Sequence, residues 1–252
     1  MRLEKTRLCD YIERVLRIKI NQGSHAPPPQ LALNMNCPLC STAAKFFTTG
    51  ENREYQLCNL CGLIFVPPEF HIPAESEITR YREHENSLDN EGYVKMFMKK
   101  ITLIKKHCPS LKTALDFGCG YEPVLKTILE KEGIKTEIYD LNFFPNFPKN
   151  KNYDLVISTE TFEHFKNPMQ DIQQATACIS PCGFLAVMTH FYPLEDGKPC
   201  EKKFSKWYYK RDPTHIAFYS SKSFQWIAER IGFQIILNNQ FDFILLQKAF
   251  PL

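Results

Sequence analysis

From about residue 111 to the end of the chain, short apolar runs alternate with stretches whose apolar positions recur at helical spacing. The helical spacing predicts helices at about 122–132, 168–178 and 221–231. The predicted strands are TALDFG, TEIYD, YDLVISTE and GFLAVMT, and the last stretch, FQIILNNQFDFILLQK, predicts two strands joined by a turn. Regular alternation of strands and helices implies an α/β fold in which helices cover both faces of a mostly parallel sheet.

The chain before residue 111 has a different pattern and divides into three segments. Residues 1–30 combine an amphipathic stretch with a linker, NQGSHAPPPQ, whose prolines cannot continue a helix. Residues 31–72 contain four paired cysteines. Residues 73–110 begin polar and show helical spacing from about Tyr93, which predicts a connecting helical segment. Residues 111–252 form the predicted α/β domain.

Composition and charge limit the classes of protein that fit. The first segment carries Glu4, Asp10 and Glu13 and lacks an apolar core, so it is predicted to be a docking, partner-binding or membrane-surface helix rather than a secretory signal. No apolar run reaches the roughly 18 residues that a membrane helix needs. Six of the ten cysteines are scattered, which favours a reducing compartment and a cytoplasmic protein over a disulfide scaffold.

The other four cysteines form the pattern C-x2-C-x17-C-x2-C, with members Cys37, Cys40, Cys58 and Cys61. Two such pairs bring four thiolates to one point, which is the tetrahedral environment that zinc prefers. Gly62 follows the second pair, where a tight turn benefits from a residue without Cβ. The pattern predicts a structural zinc site, because four protein ligands leave no open position for catalysis.

A glycine-rich loop follows the first strand of the predicted domain. The strand carries Asp116 near its end, and Gly118 and Gly120 follow in the pattern D-x-G-x-G. The next strand ends in Asp140, whose carboxylate is suited to accept both ribose hydroxyls of an adenosine cofactor. The nicotinamide fingerprint G-x-G-x-x-G is absent because position 123 is proline, which disfavours a nicotinamide oxidoreductase.

LDFGCG with a following acidic strand end resembles the class I S-adenosylmethionine-dependent methyltransferases. The paired cysteines, RYREHENSLDNEGYV, YDLVISTETFEHFKNP and WYYKRDPTHIAFYS, in this order, resemble a bacterial subgroup of these enzymes with an N-terminal zinc ribbon. The resemblance covers roughly residues 37–248. It implies a Rossmann-like core with a mostly parallel seven-stranded sheet that ends in an antiparallel hairpin.

The resemblance also implies which residues contact the cofactor. They are Asp116, Phe117, Gly118 and Gly120 around the methionine part, Asp140 on the ribose, Leu141 beside the adenine, and Glu160 and Thr161 near the methyl group. The chain departs from the family pattern at Glu122, Pro123 and Cys182. The segment FFPNFPKNKN after the second strand is short, so the acidic adenine contact of many family members is not expected here.

Methyl transfer to a hydroxyl or amine needs a group that removes a proton, and histidine suits this role. His215 and His164 are the candidate bases, and Thr214 adds a hydroxyl beside His215. Each histidine also has a structural interpretation, as a helix cap or as a turn residue. The candidates for substrate contact are Tyr81, His84, Asn86, Tyr93, Trp207, Tyr208 and Asp212. The run KKFSKWYYKR fits an anionic small molecule or a solvated face, and nucleic acid is not favoured because the rest of the chain is not basic.

The sequence therefore predicts an S-adenosylmethionine-dependent methyltransferase that also binds zinc. Its acceptor is a small molecule or macromolecule with an O, N or C nucleophile, which the sequence does not identify. The alternative is a non-catalytic zinc-ribbon adaptor or cofactor-sensing protein, motivated by the departures at Glu122 and Cys182.

Overall fold

The computed structural model describes residues 35–83 and 87–249. The predicted N-terminal helix and linker at 1–30, and the substrate candidates His84 and Asn86, lie outside these described residues.

The first part of the structure is a small antiparallel sheet followed by two helices. These elements are β1 (Lys45–Gly50), β2 (Arg53–Leu57), β3 (Ile64–Phe65), α1 (Ala74–Arg82) and α2 (Glu91–His107). The side chain of Asn90 caps α2 by accepting a hydrogen bond from the backbone N–H of Tyr93 at 3.1 Å. Phe97, Ile101 and Ile104 recur every three or four residues and form the buried face of α2.

The remainder of the chain follows the predicted alternation of strands and helices. Its elements are β4 (Thr113–Phe117), α3 (Val124–Lys131), β5 (Lys135–Tyr139), β6 (Tyr153–Thr159), α4 (Pro168–Ala177), β7 (Ile179–Met188), β8 (Leu194–Glu195), β9 (Lys198–Pro199), α5 (Glu201–Lys206), β10 (Ala217–Phe218), α6 (Ser221–Ile231), β11 (Phe233–Asn238) and β12 (Phe243–Lys248). Short 3-10 turns at Phe162–His164 and Tyr208–Arg211 connect some of them. The predicted α/β fold of the class I methyltransferase type is confirmed.

The central sheet has the strand order β11-β12-β7-β6-β4-β5. Strands β7, β6, β4 and β5 pair in parallel, whereas β12 and β11 add an antiparallel hairpin at one edge. The predicted number of seven strands is wrong, because the described residues form six strands in this sheet. The chain between Tyr139 and Tyr153 contains neither a helix nor a strand, and it is too short to hold both a crossover helix and a further strand.

The sheet is buried on both faces, which explains the nearly continuous apolar runs of its strands. Leu115 and Val156 join one apolar cluster, and their neighbours Ala114 and Leu155 join the other. Helices α4 and α6 contribute to the first cluster and helices α2 and α3 to the second. Burial of a leucine, isoleucine, valine or phenylalanine side chain contributes about 1.5–3 kcal/mol to the free energy of folding. The two clusters therefore hold the strands of the sheet firmly in place.

The small sheet is completed by a strand from the second half of the chain. Its order is β1-β2-β3-β10, and Phe65 and Ile64 of β3 pair with Ala217 and Phe218 of β10. A third apolar cluster, which includes Tyr55, lies beneath this sheet. The cysteine-containing segment therefore shares a sheet and a core with residues that lie about 150 positions further along the chain. No helix in the described part of the chain has the length and apolar character required to cross a membrane.

Candidate functional site

A cavity of about 550 Å³ lies at the carboxyl ends of β4, β5 and β6. Ligands bind at this edge in doubly wound sheets, where the strand order reverses. The predicted cofactor residues among its lining are Phe117, Gly118, Gly120, Asp140, Leu141, Glu160 and Thr161. The lining is acidic: it contains one lysine, Lys166, and five carboxyl side chains, which are Glu77, Asp140, Glu160, Asp171 and Asp212.

The glycine loop after β4 requires glycine at its first position. Gly118 has a φ of 82°, and an added Cβ would overlap the side chain of Thr161. The Thr161 hydroxyl donates to the Gly118 carbonyl at 3.1 Å, and the Gly118 N–H donates to the Tyr139 carbonyl at 2.7 Å. Gly120 has a φ of 69° and faces open space. The loop thus presents its backbone to the cavity.

Asp140 connects this loop to the chain that follows β5. Its Oδ2 accepts a hydrogen bond from the Gly120 N–H at 3.0 Å. Its Oδ1 accepts from the N–H groups of Asn142 at 2.8 Å and Phe143 at 3.1 Å. Each carboxylate oxygen has a second lone pair. Oδ1 uses both of its lone pairs, so Asp140 holds both loops in place and keeps one lone pair, on Oδ2, for a ligand.

Asp116 lies beneath the glycine loop and is 1% exposed. Its Oδ1 has no hydrogen-bond partner among the described residues. Burial, together with the charge of Asp140, raises the pKa of Asp116 to about 8. A buried carboxyl group of this kind favours a ligand that brings a cationic hydrogen-bond donor, which would stabilise its ionised form.

Two carboxyl groups and a tyrosine hydroxyl form a network after β6, in which Glu163 and Tyr209 are buried and Glu160 is exposed at the cavity. The Tyr209 hydroxyl contacts Glu160 Oε2 at 2.9 Å and also hydrogen-bonds Glu163 Oε1. One hydroxyl hydrogen serves only one acceptor, so the second contact requires a proton on a carboxyl group. Desolvation, together with the charge of Glu163, raises the pKa of Glu160 well above its usual value. The φ of Glu160 is 48°, an unusual backbone conformation for this residue type that is often found at functional sites.

Both predicted histidines line the cavity, with ring centroids 4.9 Å apart. His164 Nδ1 lies 3.0 Å from the Thr214 carbonyl oxygen, and His215 Nδ1 lies 2.7 Å from the Tyr209 carbonyl oxygen. Carbonyl oxygens only accept, so each Nδ1 carries a hydrogen and each Nε2 retains its lone pair. Burial, together with the proximity of His164, lowers the pKa of His215 to about 4, so its ring is neutral at pH 7.

The turn at Asp212 positions the second histidine. Asp212 Oδ1 accepts hydrogen bonds from the Thr214 N–H at 2.9 Å and from the Thr214 hydroxyl at 2.6 Å, and Oδ2 accepts from Arg80 at 3.1 Å. Burial opposes ionisation, but the bonds from Thr214 and Arg80 and the neighbouring His215 together lower the pKa of Asp212 to about 2. Thr214 is buried and its hydroxyl is engaged in the turn, so it does not line the cavity.

The same loop is held from the other side by Arg53 of β2. The Arg53 guanidinium donates to the carbonyl oxygens of Asp212 at 2.8 Å, His215 at 3.0 Å and Pro213 at 3.1 Å, and also to that of Lys210. We refer to these bonds as the Arg53 clamp. Arg53 is 6% exposed. A residue of the small sheet thereby fixes the backbone that carries His215.

The remaining substrate candidates fall into two groups. Tyr81 and Tyr93 line the cavity, and the Tyr81 ring packs edge-on against His164 with centroids 5.1 Å apart. Trp207 packs against the third apolar cluster, and Tyr208 is exposed with its hydroxyl 3.3 Å from His190 Nε2. Neither Trp207 nor Tyr208 lines the cavity.

The four paired cysteines meet at one point of the small sheet. Cys37 and Cys61 Sγ are 3.5 Å apart, Cys40 and Cys58 Sγ are 3.3 Å apart, and all four sulfurs lie within 4.8 Å of one another. Separations of this size suit four thiolates at Zn–S distances near 2.3 Å. The turn after Cys58 closes with a bond from the Gly62 N–H to the Cys58 carbonyl at 2.9 Å, with Gly62 at a φ of 75°.

Three residues of this site, Arg53, Tyr209 and Glu163, were not predicted from the sequence. The spacing of Glu160, Glu163 and His164 around one 3-10 turn was an available signal for Glu163. No local pattern marks Arg53, because its partners lie about 160 residues further along the chain.

The family model described as "Methyltransferase domain" matches residues 88–238, which is more than half of the chain. The chain therefore belongs to this family. The prediction of a methyltransferase enzyme is confirmed.

Solved structures with a similar fold include several methyltransferases. An O-methyltransferase family protein from Burkholderia thailandensis is 13% identical with a TM-score of 0.45, covering 69% of this chain and 63% of that one. The plantazolicin methyltransferase BpumL, solved with S-adenosylhomocysteine (SAH), is 15% identical with a TM-score of 0.46, covering 70% and 92%. DesVI of Streptomyces venezuelae is 11% identical with a TM-score of 0.46, covering 71% and 100%. A search of curated proteins gives no match.

Proposed function

We propose that the cavity binds S-adenosylmethionine and directs its methyl group toward the His164 and His215 side, where an O, N or C nucleophile of the acceptor is methylated. The observation that carries this proposal is that the glycine loop, Asp140 and the two Nε2 lone pairs line one cavity. The spare lone pair of Asp140 Oδ2 suits a ribose hydroxyl. Asp116 lies beneath the glycine loop and outside the cavity lining, so its carboxyl would act on the ammonium group of the methionine part from behind the loop.

In the simplest form of this mechanism, one imidazole accepts the acceptor's proton. Transfer from a sulfonium is an in-line displacement, so the protein must align the nucleophile and remove its proton. Both Nε2 atoms are available for this, because both Nδ1–H groups are committed to backbone carbonyls. Thr214 acts through Asp212 as a positioning residue, and Tyr81 and Tyr93 are the candidate contacts for the acceptor or the cofactor.

We also propose that the four cysteines bind one structural zinc ion and that the chain belongs to a zinc-ribbon subgroup of its family. The donor set and the sulfur separations support zinc. The ion would hold β1, β2 and β3 in the arrangement that carries Arg53. Zinc would therefore support the loop that carries His215 without contacting it. The predicted segment 31–72 would depend on the rest of the fold, because its small sheet is completed by β10.

The acceptor class is a proposal, and one partner that the sequence already disfavours, nucleic acid, gains no support. Within KKFSKWYYKR, Lys210 is buried and paired with Glu51, and Trp207 is packed in the core. These residues do not form one exposed basic and aromatic surface, so nucleic acid stays disfavoured. A cytoplasmic location stays a prediction from the cysteine pattern.

Calorimetry with SAH and S-adenosylmethionine tests the cofactor assignment directly. We expect one site per chain, and the absence of heat for either ligand would contradict the proposal. SAH formation is then measured with a panel of hydroxyl, amine and carbon acceptors, using the wild type and His215→Ala. We expect His215→Ala to bind SAH normally and to lose turnover. Binding without turnover across the whole panel by the wild type would favour the non-catalytic adaptor.

A further inference from the structure

Three metal-ligating side chains lie together beside the cofactor cavity. Ligand atoms of Glu163, His164 and His215 all lie within 4.8 Å of one another, and His164 Nε2 is 4.0 Å from Glu163 Oε1. Glu163 and His164 come from the turn after β6, whereas His215 comes from the loop before β10. The fold therefore brings two separate segments together at this point.

The two imidazoles are oriented as metal ligands usually are. A ligating histidine almost always donates its other ring N–H to a carbonyl or carboxylate group, which fixes the tautomer and the ring plane. His164 and His215 both do this through Nδ1, at 3.0 Å and 2.7 Å from the carbonyl oxygens of Thr214 and Tyr209. Both Nε2 lone pairs are left available, and both rings line the same cavity.

The carboxylate of the third side chain, Glu163, also lacks part of its hydrogen bonding. Glu163 has no exposed surface, Oε1 accepts from Tyr209, and Oε2 has no hydrogen-bond partner among the described residues. Leaving a buried carboxylate oxygen unpaired is costly. The nearby cationic side chains are engaged elsewhere, since Lys166 pairs with Glu77 and Arg80 pairs with Asp212 and Glu83.

We propose that Glu163, His164 and His215 bind a divalent transition-metal ion, at a second metal site that is distinct from the four cysteines. Two imidazoles and one carboxylate form a nitrogen and oxygen donor set, which suits Zn²⁺, Mn²⁺, Fe²⁺ or Co²⁺ rather than a thiolate-seeking ion. Three protein ligands leave further coordination positions open, and the cavity supplies space for them on the acceptor side.

This step rests on the proposed function. Among the O, N and C nucleophiles considered there, a metal ion at this site favours an oxygen nucleophile. A phenol, catechol or enol whose oxygen binds the metal loses its O–H proton to solvent at lower pH than it does in water. An oxygen lone pair then forms a bond to the methyl carbon, the carbon–sulfur bond breaks, and its electron pair returns to sulfur as SAH. In this form of the mechanism the imidazoles are ligands and do not accept the proton.

Titration with Co²⁺ of protein that carries only one equivalent of zinc, which the four cysteines hold, tests the site. We expect one equivalent of Co²⁺ to bind without displacing zinc, with d–d absorption bands and without thiolate charge-transfer bands. Glu163→Gln and His215→Gln change different segments and should each weaken Co²⁺ binding by about 100-fold or more. His190→Gln is the matched control, a partly buried histidine near Tyr209 that is outside the trio, and it should bind Co²⁺ as the wild type does.

Calorimetry with SAH on the same samples separates the two proposals. Wild type that binds SAH but binds Co²⁺ only by displacing zinc would overturn the metal site and leave the cofactor proposal intact. Wild type that binds Co²⁺ without displacing zinc but does not bind SAH would overturn the cofactor proposal and leave the metal site intact. If Glu163→Gln fails to fold, the Co²⁺ affinity of His215→Gln tests the site by itself. A folded variant of either kind that binds Co²⁺ as tightly as the wild type would overturn the assignment of these ligands.

Discussion

Replacing Arg53 by methionine should loosen the loop that carries His215. Methionine keeps most of the apolar stem but removes the guanidinium of the Arg53 clamp, which supplies bonds to four carbonyl oxygens of residues 210–215. A hydrogen bond with a charged partner contributes about 1.5–3 kcal/mol net. Some of the freed carbonyls will regain water, so we expect Arg53→Met to lower the free energy of unfolding by about 2–4 kcal/mol.

Two measurements check this prediction. Urea unfolding gives the change in stability, with Arg211→Met as the control because Arg211 is an exposed arginine on the same loop. Hydrogen exchange reports the loop itself, through the amides of Thr214 and His215, which bond to Asp212. We expect faster exchange at these amides in Arg53→Met, with the zinc content unchanged. The reasoning is refuted if Arg53→Met and Arg211→Met are equally stable and exchange at the same rates.

Three further predictions concern the cofactor, the zinc and the pH dependence. Asp140→Asn should weaken SAH binding by about 10- to 100-fold, since one hydrogen bond to a charged acceptor is lost; unchanged affinity in calorimetry would contradict the ribose assignment. Cys58→Ser should lose zinc and lower the melting temperature, whereas the control Cys182→Ser should keep one zinc per chain by elemental analysis. Because the pKa of Asp116 is raised to about 8, the folded state holds this proton between its usual pKa and pH 8, and the resulting stability is lost as the pH rises through about 8. Cofactor-free wild type should therefore lose more unfolding free energy between pH 5 and pH 9 than Asp116→Asn does, and parallel curves for the two proteins would show that Asp116 is not buried in its neutral form.

Much of the central fold follows from local patterns in the sequence. The strands that end at Phe117, Tyr139 and Thr159 are apolar on both sides and are interrupted by amphipathic helices, so their order and their shared edge are predictable. Gly118 and Asp140 could be placed at that edge because the carboxyl ends of parallel strands meet there. The predicted number of strands was wrong because it was taken from the family resemblance. The chain after Tyr139 is too short to supply the additional strand.

The acceptor side of the cavity could not be predicted to the same depth. Arg53 and His215 are brought together by the pairing of β3 with β10, and pairing between two-residue strands leaves no periodic signal. Tyr208 and Tyr209 are neighbours in a 3-10 turn that directs one ring outward and the other into the carboxyl network. A run of similar residues in the sequence thus separates into side chains with different surroundings.

The acidic lining of the cavity affects how tightly the cofactor is bound before and after methyl transfer. In the proposed reaction the cofactor arrives with a positively charged sulfonium and departs as a neutral thioether, because the sulfur regains an electron pair when it gives up the methyl group. Carboxyl groups such as Asp140 and Asp171 attract the first form and not the second. The part of the electrostatic binding free energy that comes from the sulfonium is therefore lost at the moment of reaction, whereas the part that comes from the ammonium group is kept. This loss weakens the binding of the product and favours its release.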